Sequence, residues 1–278
     1  MNGKTSLTNA DPNQLLDAIK TRLKSGVNPG ASPGHFQTQL HYVSKDLTDA
    51  IEAGKDPLQV LRDTINDDKQ LQKMLSLGQS VGPANMNVKQ DLQAFHFSDM
   101  FNRASKTLPP RAGGVAQTRL DPEVFADEWI NPQKQSSLTK LYGAQQKQDL
   151  DKFIERVLQT QDNPLISPNL VYKGKGFLLG GGFLGTYLGG HIPAGITAGV
   201  YVPTTIMGRL LTKPGIARAL SAMAGAEPAQ VGKEQLGRQI LNGLQGLRLA
   251  LVDPSGKKSW GTVSGTSGGG YDFKPEGH

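Results

Sequence analysis

Between Gly176 and Gly208 the chain carries no Asp, Glu, Lys or Arg, and any fold it adopts must give those residues apolar surroundings. The stretch reads GFLLGGGFLGTYLGGHIPAGITAGVYVPTTIMG. Gly176 and Gly180, then Gly181, Gly185 and Gly189, then Gly195 and Gly199 recur every fourth position. On a helix that spacing falls on nearly one face, and glycine there lets two backbones approach closely. Pro193 divides the stretch into segments of about 17 residues, each roughly 25 Å long as helix. The spacing predicts a glycine-zipper helical hairpin over residues 176–211, with Phe177, Leu184 and Leu188 joining the seven glycines on its oligomer or membrane face.

The expected hairpin sits at the margin of membrane insertion. Each arm is slightly short of the ~30 Å apolar core of a bilayer. Phe177, Leu178, Leu179, Phe183, Leu184, Leu188 and Ile192 together contribute roughly −2 to −4 kcal/mol to insertion. The glycines between 176 and 190 oppose this, each costing up to about 1 kcal/mol relative to alanine in a helix. One copy needs a packing partner, either lipid-embedded copies or a protein surface.

Charge is distributed unevenly around this core. The net charge is +6, which favours polyanionic partners. No acidic residue occurs from Asn163 to Ala226, while Lys173, Lys175, Arg209, Lys213 and Arg218 stand at the edges of the apolar stretch. Basic edges suit phosphate headgroups or a DNA backbone. The mean hydropathy of −0.38 makes the apolar stretch an exception in a polar chain. Cysteine is absent, which excludes disulfides and thiolate metal sites and leaves the compartment open. Met1 to Ala10 is polar, without the apolar region of a secretory signal.

The rest of the chain reads as amphipathic helices. Asp11-Pro12 and Asp56-Pro57 pair an N-cap carboxylate with proline at the first helical position. Apolar stripes follow through Leu15 to Leu23, Phe36 to Ile51, Leu58 to Leu75 and Leu92 to Phe101. TLPPRAGG, Thr107 to Gly114, reads as a linker. Asp121-Pro122 repeats the helix start, Pro132 stops it, and further helices are expected near 138–142, 144–160, 212–225 and from Pro228 to about 252. The fold class expected is all-α, an amphipathic helical array with a C-terminal glycine-rich helical hairpin. Its parts are a helical region 1–106, a linker 107–120, a helical region 121–252 and a flexible Gly/Ser-rich tail 253–278.

Within Asp121 to Leu220, Trp129, Ile130, Pro132, Leu138, Leu141, Gly143 and Leu150 precede the glycine-rich stretch, and Arg209, Leu210, Leu211, Thr212 and Pro214 follow it. This order of helical segment, Gly-rich apolar stretch and R-L-L-T-x-P end resembles the ejection (internal virion) and polyvalent proteins of tailed bacteriophages. The resemblance implies a virion protein that oligomerises and helps form a conduit for genome delivery across the host envelope. Its implied partners are further copies of itself, other virion or tail proteins, envelope lipid and, non-specifically, the DNA backbone. The alternative is a non-inserting structural or scaffold virion protein in which the apolar hairpin is a subunit interface.

Catalytic patterns are weak. Gly180 to Gly185 matches G-x-G-x-x-G literally, but the next acid is Glu227, far beyond the spacing a dinucleotide site needs. His35, His41, His96, His191 and His278 lack metal-ligand spacing. Asp127 and Glu128 project about 100° apart on a helix and do not face one substrate. The expectation is a chain without catalytic residues, metal or cofactor.

Overall fold

A computed structural model describes residues 53–80, 88–109, 117–162, 170–172, 176–180, 199–224, 230–253, 255, 257–267 and 271–276. The stripes expected before Gly54 therefore lie outside the described residues. So do Gly181, Leu184, Gly185, Leu188, Gly189 and Gly195 of the hairpin, and Lys173 and Lys175 at its edge.

The helices begin with α1 (Pro57–Asn66), α2 (Asp68–Ser80) and α3 (Val88–Arg103). The stripe from Leu58 to Leu75 reads as one helix, but Asp67 interrupts it: its carboxylate accepts from the amides of Lys69 and Gln70 at 2.8 and 3.0 Å, restarting the helix. After α3 a two-stranded antiparallel ribbon pairs β1 (Ser105–Leu108) with β2 (Gln117–Leu120), so the segment expected as a linker begins and ends in paired strands. Asp121 caps the short helix α4 (Pro122–Phe125), accepting from the amides of Glu123 and Val124. A π-helical turn, Ala126–Ile130, follows, and Pro132 opens a 3-10 turn. Then come α5 (Gln135–Tyr142) and α6 (Ala144–Asp162).

The all-α expectation is overturned next. The chain forms β3 (Leu170–Tyr172), β4 (Gly176–Gly180) and β5 (Gly199–Pro203). Three helices follow, α7 (Thr204–Leu211), α8 (Ile216–Ala224) and α9 (Gln230–Leu244). The chain then adds β6 (Arg248–Val252), β7 (Lys258–Gly265) and β8 (Tyr271–Pro275). These six strands make one antiparallel sheet in the order β3-β4-β5-β6-β7-β8. The fold is therefore mixed α and β, not all-α.

Two expectations fail for identifiable reasons. Within the proposed helical hairpin, residues 176–180 and 199–203 are strands, and only its last part, Thr204–Leu211, is helical: Gly180 pairs with Gly199 and Gly176 with Pro203 across β4 and β5. An interval of four is also an even number, so residues at that spacing share a face in a strand as well as on a helix. The tail expected to be flexible supplies β7 and β8, joined over five residue pairs from Gly261↔Pro275 to Gly265↔Tyr271. Its Gly and Ser content hides the alternation of Val263, Tyr271 and Phe273, which turn to the helices, with Trp260, Thr262 and Lys274 on the other face.

One apolar core lies between the helices and the inner face of the sheet. Leu170, Tyr172, Phe177, Leu179, Val200, Val202, Leu249, Leu251 and Val263 contribute from the strands. Facing them, Phe97 and Phe101 of α3, Phe125 of α4 and Phe153 of α6 surround Phe177 directly or at one remove. The core draws on residues from both sides of the 107–120 segment. Helices α3 and α7 meet at Gly208, where a Cβ would stand 2.5 Å from the carbonyl oxygen of Ala94. A small residue does permit close approach at the end of the glycine-rich stretch, but the partner is the chain's own helix.

Candidate functional site

The residues expected to form an oligomer or membrane face are divided by the sheet. Phe177 is fully buried among Phe97, Phe101, Phe153 and Tyr172, with ring centroids 5.1 to 6.4 Å away. Gly176, Gly180 and Gly199 are strand residues. At Gly176 a Cβ would meet the Val202 carbonyl oxygen at 2.6 Å and the Tyr201 ring at 2.7 Å, so glycine is needed for Tyr201 to lie across the neighbouring strand.

The described basic residues do not form one patch. Lys213 donates from Nζ to the carbonyl oxygen of Gly243 at 2.5 Å, at the C-terminal turn of α9 where a cation is favoured, and burial lowers its pKa. Arg218 pairs with the buried carboxylate of Asp149 at 3.3 Å. Arg209 is half-buried in the last turn of α7. Lys213 and Arg218 thus serve intramolecular bonds.

The structure assembles a different group on the outer face of the sheet. Strand pairing places Tyr201 opposite Ala250, and Ala250 opposite Trp260. The Tyr201 and Trp260 rings meet edge to face, 6.2 Å apart at 90°. The Lys258 ammonium lies 3.5 Å from the Tyr201 ring centre, and the Arg248 guanidinium 4.8 Å from that of Trp260. Arg248 also makes a two-bond pair with Glu276, at 2.7 and 2.9 Å. Both aromatic residues are half-buried, and Lys258 is exposed. None of these four was singled out from the sequence. The available signal was the K-x-W-x-T alternation of β7, which places Lys258 and Trp260 on one face.

On the helical side, polar groups are buried in a connected network. Asp99 of α3 accepts from Arg62 Nε at 2.8 Å and Nη2 at 2.7 Å, and from Arg103 Nε at 3.0 Å. Arg103 reaches Glu128 of the π turn at 2.7 Å, and Lys134 approaches the same carboxylate oxygen at 3.3 Å. Glu128 is thereby a structural counter-ion, while the side chain of Asp127 is 68% exposed and faces Lys134 at 3.8 Å. Beside this network the indole of Trp129 donates to Asp151 at 2.7 Å, and Lys147 holds both Asp151 oxygens at 3.1 Å. A cavity of about 340 Å³ opens here, floored by Trp129, Ile154 and Leu158 and rimmed by Ile130, Glu155 and Asp151. Trp129, Asp151 and Lys147 are bonded to one another here, and Glu155 accepts from Gln159. Among the described residues no cluster of three or more His, Asp or Glu has the arrangement to hold a metal ion.

His96 is enclosed in this region, with Nδ1 2.9 Å from the Tyr142 hydroxyl and Trp129 and Tyr142 flanking its ring. Burial pushes its pKa down to about 4 against the opposing pull of Glu128 and Asp99, and it raises the pKa of the buried Tyr142 hydroxyl. The unfolded chain takes up this proton near pH 6.5, whereas the folded chain holds it off until about pH 4. The His96 contribution to stability is therefore full above pH 6.5 and is lost as pH falls from 6.5 to 4, on the order of 3 kcal/mol in total. Urea unfolding at pH 7 and pH 5 should show about 2 kcal/mol of this loss in the wild type and a flatter profile in His96→Gln. An equal slope in both proteins would remove His96 as the cause.

Comparison with protein-family models, curated proteins and solved structures finds no match to this chain.

Proposed function

We propose that the chain is a virion protein of a tailed phage that works by assembly, with the uncharged segment 181–198 as its contact with another copy or another virion protein. The supporting observation is the use of the flanking residues. Phe177, Leu179, Val200 and Val202 spend their apolar surface on the chain's own core. Gly181 to Ala198 lie outside the described residues; in sequence they are the uncharged, glycine-rich remainder of the stretch, between the paired strand ends Gly180 and Gly199. Two helical crossings of a bilayer need about 40 apolar residues. No helix among the described residues is long and apolar enough to cross a membrane. The pairing of 176–180 with 199–203 as strands supports the structural role over a conduit built from a helical hairpin, and the resemblance over Asp121 to Leu220 supports the virion setting.

The test combines sedimentation velocity with flotation on anionic vesicles, for the wild type and Leu184→Asp. The wild type is expected to form a defined oligomer and to stay with the soluble fraction at physiological salt. Leu184→Asp should shift the assembly to smaller species, because an unpaired charge in an apolar contact is costly. A wild type that is monomeric at all concentrations overturns the assembly reading. A wild type that floats with vesicles, and loses this in Leu184→Asp, replaces it with the conduit reading.

A further inference from the structure

The outer face of the sheet carries a group of side chains that the core does not need. Tyr201 and Trp260 stand one strand apart on either side of Ala250, and their rings touch edge to face. Lys258 and Arg248 lie over these rings at 3.5 and 4.8 Å. Lys274 shares the face, exposed and opposite Thr262. The acids on the face are Asp272, half-buried opposite Ser264, and Glu276, tied to Arg248. Among the described residues of this face, three cations stand against two acids, in a chain of net charge +6.

We infer that this face binds single-stranded nucleic acid, with bases stacking against the Tyr201–Trp260–Arg248 group and phosphates meeting Lys258 and Lys274. The chemistry selects this partner over a simple polyanion. An antiparallel sheet that presents aromatic rings together with an overlying guanidinium plane accepts unstacked bases, and flanking ammonium groups follow the backbone. A heparin-like chain carries no aromatic base to stack on these rings and would engage mainly the cations. A duplex keeps its bases stacked internally and cannot offer their faces to a sheet. The inference is independent of the assembly reading: it uses the opposite side of the molecule from the apolar core and no residue of segment 181–198.

The experiment titrates the full chain with a 5′-labelled 16-nucleotide oligo-dT, a duplex of the same length and heparin, reading anisotropy and tryptophan fluorescence together. The chain has two tryptophans, and Trp129 is buried beneath Lys147 and Asp151. Trp260 is therefore the residue expected to report stacking. Oligo-dT should bind more tightly than duplex or heparin and quench the fluorescence, and the quench should vanish in Trp260→Leu. Affinity should fall roughly ten-fold in Trp260→Leu, since stacking on one aromatic carries about that much. Lys258→Gln should weaken binding by a smaller factor and flatten its salt dependence, while its exposed position leaves the fold intact. Equal binding of all three probes without quenching, or wild-type affinity in a folded Trp260→Leu, overturns the inference. If Trp260→Leu does not fold, wild-type quenching by oligo-dT together with the Lys258→Gln effect decides it, and absence of the quench counts against it.

Discussion

Phe177→Ala should lower the stability of the protein by about 3 to 5 kcal/mol, and a thermal melt should drop by on the order of 10 °C. Phe177 is fully buried at the centre of the core, with Phe101 at 5.1 Å, Tyr172 at 5.2 Å and Phe153 at 5.8 Å between ring centres. Removing the ring opens a cavity that these neighbours, fixed on α3, α6 and β3, cannot close together. The adjacent Leu178 points to the outer face and is half-exposed, so Leu178→Ala should cost far less. Leu179→Ala, on the inner face again, should cost about 2 to 5 kcal/mol. Urea unfolding of the three variants reads this alternation. Comparable losses at all three positions would mean that the period-two strand is wrong.

Asp99→Ala should destabilise by about 3 kcal/mol, a large effect for one polar side chain. The carboxylate is 9% exposed and holds two guanidinium groups, Arg62 from α1 and Arg103 from its own helix. Its loss leaves both cations facing each other and the Glu128 pair, with only partial access to water. The exposed pair of Lys140 with Asp68 offers a contrast. It is as short, at 2.6 Å, but stands in solvent, and exposed ion pairs contribute little. Asp68→Asn should therefore shift the unfolding midpoint less than Asp99→Ala does, since its amide oxygen can still accept from Ser137. A double variant, Arg62→Met with Asp99→Leu, should recover part of the loss, because apolar replacement removes the stranded charge.

Helix signals in this chain act locally and were legible for that reason. Asp121 caps at the position its pairing with Pro122 predicts, and Gly143, with φ of 81°, ends α5. The sheet depends on partners distant in sequence, such as Val200 with Leu251, and its local signals were masked. Leu236, Ile240, Leu244, Leu247 and Leu251 follow intervals of three and four and suggest one helix to residue 252. The helix instead stops at Leu244, Gly246 turns the chain at φ of 70°, and Leu249 and Leu251 resume as the inner face of β6. Leu247 and Leu251, four apart, fit both periods, and Gly246 just before them marks the change of element. The glycine-rich stretch misleads for the same reason, since every fourth residue shares a face in either element.

The candidate site was less legible than the fold. Tyr201 is separated from Trp260 by 59 positions and from Lys258 by 57, and only the pairing through Ala250 brings them together. Lys213 and Arg218 looked like a basic edge because their partners, the Gly243 carbonyl and Asp149, lie 30 and 69 residues away. A list of charges along a sequence carries no record of which ones the fold has already neutralised.

Cysteine cross-linking tests most directly whether the glycine-rich stretch belongs to a sheet, because the chain has no cysteine of its own. Leu178 and Tyr201 are direct partners across β4 and β5, and facing residues of an antiparallel pair have Cα atoms about 4.5 to 5.5 Å apart, within disulfide reach. In a helical hairpin turning at Pro193, Leu178 would instead lie near Met207. Leu178→Cys with Tyr201→Cys should form an intramolecular disulfide under mild oxidation in dilute solution, and Leu178→Cys with Met207→Cys should not. Cross-linking of the second pair without the first would contradict the strand pairing and restore the helical hairpin.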